Sequence, residues 1–502
     1  MRTQTTEQPT KGAPQSLGQA WLALAGLSTV FLFEMLDNSI LNVALPTIGR
    51  ELNASTTALQ WVTGSYSVVF GGLMLAFGAI ADRFGRRRIM LIVLVLLGLS
   101  SLATAFVSTS EQLIAVRVLM GIAAAMTTPG SMALAFRLFK NDDLRVRSLT
   151  LISTVGLIGL AIGPTAGGLV LAVAPWQVLL LINVPIALLA IIGVRAGIAA
   201  DEPAELHRDP VDVAGALLGT LTIVLALIAP TMFVNEGTGS WIPWTTTAAA
   251  LCAACLFVLR ERSARYPLLD LKLIARPLVS SGLAFKAATG LAMSGLSYLV
   301  TLQLQLEWGW PPAAAALGML PQVVVLIAGG TFVSPFVRWA GLNRAAWLSV
   351  TSVVVGLAVY ALLGGFSYLW IAVALVLVAA GLRVNGVVAA TNVLKGLPEN
   401  RTTIGVALVD TSSEVATGVG IAATGTILAA MFTGSITVMN WTAQQAVQFR
   451  EGVTIAASTI TLVAAVLVTL GFLRTRGLAD QADADQPDAD QSDEKSPADA
   501  AS

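Results

Sequence analysis

Seven ionisable side chains fall inside apolar runs: Glu34, Asp37, Arg117, Lys286, Arg383, Asp410 and Glu414. A charge at the centre of a bilayer costs about 2.5–3.5 kcal/mol on insertion scales, so each needs a partner or a task. A carboxylate there can pair with a guanidinium, or it can bind and release a proton. His207, the one histidine, lies in a polar stretch, which leaves the carboxylates as the ready proton carriers. Cys252 and Cys255 have CxxC spacing inside an apolar run, and two small core residues are the simpler reading than a redox pair. No cluster of metal-ligand spacing is expected, nor any cofactor.

The elements that hold these charges are long. About fourteen stretches reach the roughly 20 apolar residues that a transmembrane helix needs. The 502 residues are 56% hydrophobic and 12% charged, with a mean hydropathy of +0.79. Soluble domains carry about 25% charged residues. This composition excludes a soluble globular enzyme. The balance of 29 basic against 29 acidic residues also lacks the excess of a nucleic-acid binder. The first 18 residues are polar, and no cleavable signal is expected.

An even number of spans places both termini on one side. With that side cytoplasmic, every Lys and Arg outside the spans except Arg50 and Arg450 falls in inner loops or tails. Trp61, Trp176, Trp241, Trp244, Trp308, Trp310, Trp370 and Trp441 fall near outer boundaries, as an interfacial belt would. The expected organisation is a tail (1–18), a six-helix bundle (19–199), a linker with spans seven and eight (200–277), a second six-helix bundle (278–475) and a disordered acidic tail (476–502).

Depth along a helix suggests partners. At 1.5 Å per residue, Asp37 lies roughly 24 Å along span one and Arg117 roughly 9 Å into the antiparallel span four. In a core about 30 Å thick these depths nearly coincide, so the two are expected to interact. Glu34 is one turn deeper on the same face as Asp37. Asp410 and Arg383 lie at roughly 10 and 8 Å from the inner face, a second candidate ion pair. Glu414 lies a turn deeper, near the midplane. Lys286 sits near the start of span nine and could snorkel. Static ion pairing is the alternative to proton carriage for each carboxylate. Aromatic and soft residues able to line a cavity for cations are Phe33, Trp61, Tyr66, Met126, Met293, Tyr298, Gln303 and Gln305; packing or lipid contact is the competing role for each.

Four segments carry a family resemblance. Gly78-Ala-Ile-Ala-Asp82-Arg83-Phe-Gly85-Arg86-Arg87-Arg88, between spans two and three, resembles the signature loop of the major facilitator superfamily. Arg338-Trp-Ala-Gly341-Leu-Asn-Arg344 is a faint echo without the Asp. Leu36-Asp37-Asn38-Ser39-Ile40-Leu41-Asn42-Val43-Ala44-Leu45-Pro46 resembles the first-span motif of the fourteen-span drug:proton antiporters. Leu113-Ile-Ala-Val-Arg117-Val-Leu-Met-Gly121 is similar to the intramembrane arginine motif. Gly159-Leu-Ala-Ile-Gly163-Pro164-Thr-Ala-Gly167-Gly168 resembles the antiporter motif. A shorter match, Asp410-Thr-Ser-Ser-Glu414, resembles the acidic segment of quaternary-ammonium efflux pumps.

The resemblance implies an all-α membrane protein of the major facilitator fold, two six-helix bundles plus two extra helices. It implies proton-coupled export of hydrophobic, often cationic compounds across the plasma membrane by alternating access, with the proton gradient in place of a cofactor. Glu34, Asp37, Asp410, Glu414 and Arg117 would couple protons; Gly78, Asp82, Arg83, Gly85 and Arg86 of the signature loop and Gly159, Gly163, Pro164, Gly167 and Gly168 of span five would serve the conformational change. A monomer partnered by substrate, protons and lipid, with no nucleic acid, is expected. A narrow exporter of one antibiotic or lipid-like metabolite is the alternative within transporters. A membrane-embedded enzyme or receptor lacks any motif.

Overall fold

A computed structural model describes residues 14–484 apart from 140, 202–211, 266, 268–270, 398–401, 435 and 438–440. Its described residues form α-helices, with no strand. In chain order these are α1 (Trp21–Glu51), α2 (Thr56–Phe84), α3 (Arg86–Ala103), α4 (Ser110–Ala124), α5 (Thr127–Leu138), α6 (Asp142–Leu171), α7 (Gln177–Leu181), α8 (Asn183–Gly197), α9 (Val213–Glu236) and α10 (Trp241–Ser263). Then follow α11 (Leu271–Ile274), α12 (Pro277–Leu302), α13 (Pro312–Gly318), α14 (Leu320–Ala328), α15 (Gly330–Ala340), α16 (Leu342–Leu363), α17 (Tyr368–Gly396), α18 (Thr402–Met431) and α19 (Ala443–Ala484).

Local chemistry sets the breaks. Ser55, Thr109 and Asp212 accept backbone N–H groups from Ala58, Gln112 and Gly215, capping α2, α4 and α9. Gly85 (φ +102°) separates α2 from α3, and Gly341 (φ +77°) separates α15 from α16. The signature loop and its echo therefore share one turn conformation, which favours glycine.

Among the described residues, twelve helices are long and apolar enough to cross a membrane, or thirteen if the pair α14 and α15, bent by 51°, is one span. The sequence reading expected about fourteen. The run near 125 counts once, as Ser110–Leu138; α2, at the run near 69, is not among the twelve, and the run near 324 is divided into α13, α14 and α15.

One group of helices packs α1 on α6 and α8, α2 on α4, and α3 on α4 and α8. A second packs α12 on α17, α18 and α19, and α16 on α17 and α19. The groups meet where α2 lies along α18 and where α6 crosses α13 and α14. Gly159, Gly163 and Gly167 of α6 lie against Leu32, Ser39 and Ile40 of α1, so closely that a Cβ would collide. The adjacent Gly168 faces Pro312, Ala313 and Ala316 of α13. This small-residue stripe lets α6 pack on both groups.

The hairpin of α9 and α10 attaches at the α2–α18 seam. Leu227 of α9 packs with Val68 and Ala422, and Thr220 Oγ1 donates to Gly72 O at 3.0 Å. Arg260 pairs with Asp212 at the hairpin's base (3.1 Å).

Three expectations change. Trp176 is fully buried, so it is not part of an interfacial belt, whereas Trp241 and Trp244 are exposed. α19 continues as helix to Ala484, past residue 476 where the acidic tail was expected to begin; the remainder of that tail, and His207, lie outside the described residues. Cys252 and Cys255 are exposed rather than core residues, because α10 packs on α9 and turns its other side outward.

Candidate functional site

α1 brings Glu34 and Asp37 into the first group one turn apart, and the two are held by different chemistry. Asp37 is completely buried. Arg117 Nη1 of α4 donates to its Oδ2 at 2.5 Å, and Asn183 Nδ2 of α8 donates to its Oδ1 at 3.0 Å. Arg117, also completely buried, donates through Nε to Val62 O (3.2 Å) and lies over the Tyr66 ring, 4.3 Å from the centroid. The pairing inferred from depth is present. A guanidinium and an amide N–H can only donate, so this cage fits an ionised Asp37.

Glu34 is 1% exposed, and its neighbours are hydroxyls. Thr127 Oγ1 donates to Glu34 Oε2 at 2.6 Å, and Thr128 Oγ1 donates to the same oxygen. Thr127 Oγ1 also lies 2.6 Å from Ala124 O. A hydroxyl has one proton and two lone pairs. Thr127 can give its proton to an ionised Glu34, or give it to Ala124 O while accepting from a protonated Glu34. The chain break between α4 and α5 supplies the carbonyl: Ala124 closes α4 and Thr127 opens α5.

Across the seam, α18 presents Asp410 and Glu414, both half-buried. Gly71 of α2 lets α18 approach; a Cβ there would lie 3.1 Å from Glu414 Cβ. Glu34 is within electrostatic reach of both carboxylates. The cation within reach of Asp410 is Lys286 of α12, not Arg383. Depth had matched Arg383 to Asp410, but the guanidinium turns toward Gly330 of α15, away from α18.

The proposed cavity residues divide. Phe33, Tyr66, Met126 and Tyr298 are buried, and among the described residues the hydroxyls of Tyr66 and Tyr298 have no hydrogen-bond partner. Met293 is partly buried beside Ala161, Val323 and Ala379, where α6, α14 and α17 converge. Trp61 instead packs with Leu227 at the α2–α9–α18 seam. Gln303 is used inside the second group: Tyr360 Oη donates to its Oε1 at 2.9 Å. Gln305 Nε2 donates across the groups to Val43 O at 2.8 Å. Gln60 Nε2 of α2 reaches Thr426 Oγ1 of α18 (3.1 Å) and Thr231 Oγ1 of α9 (3.4 Å). These bonds close the end of the molecule that bears the α1–α2 turn.

At the opposite end, Gly85 lies against Asp201, whose carboxylate accepts from Arg87 N (3.3 Å) and Arg88 N (3.1 Å) at the start of α3 and pairs with Arg137 (3.2 Å). A Cβ at residue 85 would strike that carboxylate. Gly78 has open space around it, Arg83 is exposed and Arg86 half-buried; the Asp82 side chain lies outside the described residues. Pro164 sits within α6.

Sequence reasoning missed Asn183, Thr127, Thr128, Gln60, Thr231 and Asp201. The available signal was neutral polar residues at helix breaks and inside apolar runs and, for Asp201, an acidic residue just after a span.

Residues 27–421 match the family described as Major Facilitator Superfamily. The chain is 28% identical over 417 residues to methyl viologen resistance protein SmvA of Salmonella typhimurium, covering 83% of this chain and 84% of the relative. It is 30% identical over 439 residues to multidrug efflux pump LfrA of Mycolicibacterium smegmatis, covering 86% and 84%. Its fold resembles the inward-facing, unoccupied crystal structure of a bacterial homologue of the human lysosomal transporter Spinster (TM-score 0.66, 16% identity, 93% and 98% coverage). These are the fold and family of a membrane transporter, not of an enzyme. The chain belongs to the Major Facilitator Superfamily.

Proposed function

We propose that the protein exports hydrophobic, often cationic compounds across the plasma membrane in exchange for protons. One observation carries the proton half of this reading: Glu34 is buried among hydroxyls that can satisfy it both with and without a proton. Carboxylates inside membrane bundles characteristically serve proton relays. Asp37, caged by donors only, holds Arg117 and the bundle in place. Glu414 and Asp410, within reach of Glu34 across the seam, add negative charge that attracts a cationic substrate. Protonation of Glu34 would lower that charge and favour release. The relatives' names, methyl viologen resistance protein and multidrug efflux pump, support the substrate class.

In this reading α2 counts as a further span, which makes fourteen. The two groups are six-helix bundles that rock about the α2–α18 and α6–α13/α14 seams, with α9 and α10 as a buttress. The basic loops and both termini face the cytoplasm. The chain works as a monomer, driven by the proton gradient.

The test is dye transport in proteoliposomes under an imposed pH gradient, using monovalent and divalent cations. Glu34→Gln, Asp410→Asn and Glu414→Gln are compared with the parent. Gradient-driven transport that is unchanged in Glu34→Gln would sink the assignment. The name of SmvA, which specifies one compound, favours a second reading, a narrow exporter; transport of several unrelated dyes would reject it.

A further inference from the structure

Arg383 is an intramembrane charge that the transport reading does not use. It lies within α17 and lines a cavity of about 310 Å³ between α14, α15, α16 and α17. The cavity is separate from the carboxylates of α1 and α18. Its walls are apolar, with Phe332, Phe336, Leu348 and Val384 among them. The 51° bend between α14 and α15 opens it, and the absence of a side chain on Gly330 leaves room for the guanidinium. Among the described residues Arg383 makes no ion pair, and its buried Nε has no hydrogen-bond partner. A guanidinium inside a membrane bundle normally finds an anion. The described residues supply none.

The mouth of the cavity says where the anion comes from. Phe332 and Leu348 line it and are 71% and 52% exposed, so it opens sideways between α15 and α16 to the surface that the bilayer covers. Ser349 and Ser352, also in the lining, lie roughly 12–16 Å along α16 from the Gly341 turn, within one leaflet. That turn carries Arg338 and Arg344, and basic residues at a membrane surface attract anionic lipids. A volume of 310 Å³ holds about ten water-sized groups of roughly 30 Å³ each, enough for a phosphate and its first linkages but not for a whole lipid.

We propose that this cavity binds an anionic phospholipid of that leaflet, with its phosphate on Arg383 and its chains leaving over Phe332 and Leu348. The lipid supplies the missing counter-ion. It also fills the hinge between α14 and α15, beside the seam that α14 forms with α6.

Native mass spectrometry of the delipidated full chain in detergent tests this, with phosphatidylglycerol, phosphatidylcholine and laurate as probes. The expected result is retention of phosphatidylglycerol about tenfold more tightly than phosphatidylcholine, the scale of one charge-assisted contact. Arg383→Gln should abolish the preference, Arg383→Lys should restore part of it, and Val384→Phe should weaken binding with the charge intact. Arg338→Gln, at an exposed position, should leave the preference in place. Equal binding of the two phospholipids, an Arg383→Gln protein that keeps the preference, or laurate binding in place of phosphatidylglycerol would overturn the proposal.

Discussion

Replacing Arg117 by methionine keeps most of the side-chain volume and removes the charge that Asp37 faces. Asp37 has no exposure, so it would be left as a buried anion with Asn183 as its remaining donor. Breaking a buried pair by removing one partner costs about 3–5 kcal/mol. Loss of the stacking on Tyr66 adds up to about 2 kcal/mol. Asp37→Asn in the same background removes the orphaned charge and keeps an oxygen for Asn183. The double variant should therefore recover about 2–3 kcal/mol relative to Arg117→Met alone, a coupling in the range measured for residues in contact. Denaturation of the purified protein in mixed micelles, followed by tryptophan fluorescence across all four members of the cycle, measures this. Independent effects of the two substitutions, or an Arg117→Met protein as stable as the parent, would refute the cage.

Other consequences follow from particular contacts. Gly85→Ala should cost more stability than Gly341→Ala: both force positive φ, at about 1–2 kcal/mol, but only residue 85 also meets Asp201. Equal losses in the same denaturation assay would contradict this. Gln60→Leu removes the bonds, of about 0.5–1.5 kcal/mol each, that link α2 to Thr426 of α18 and Thr231 of α9. In a background lacking Cys252 and Cys255, spin labels at Glu51 and Thr442 should then show a larger population of long distances; an unchanged distribution would exclude a latch. Thr127→Val should slow proton-coupled transport at least several-fold and leave dye binding intact, whereas a serine there should preserve both.

Much of the site was legible because helix rise converts residue number into depth. That arithmetic placed Asp37 opposite Arg117, and the Gly159–Gly168 motif, singled out by resemblance, is where α6 packs closely on α1. Depth says nothing about direction around the axis. Arg383 and Asp410 lie at similar depth on neighbouring helices, yet Arg383 points to α15, and the cation within electrostatic reach of Asp410 is Lys286. For Trp61 the packing role given as its alternative is the one seen: it lies against the cluster of Val68, Leu227 and Ala422, and the attachment of α9 to the α2–α18 seam follows from side-chain packing rather than from pattern. Thr127 and Thr128 escaped notice because neutral hydroxyls in an apolar run carry no charge to explain. Their meaning depends on the break that lets them turn toward Glu34.

The central claim is that Glu34, and not Asp37, takes the transported proton. It is tested most directly by proton flux into proteoliposomes that trap a pH-sensitive dye, started by adding a cationic substrate. Glu34→Gln is predicted to bind substrate and to move no protons with it. Substrate-coupled proton flux at the parental rate in Glu34→Gln would contradict the account.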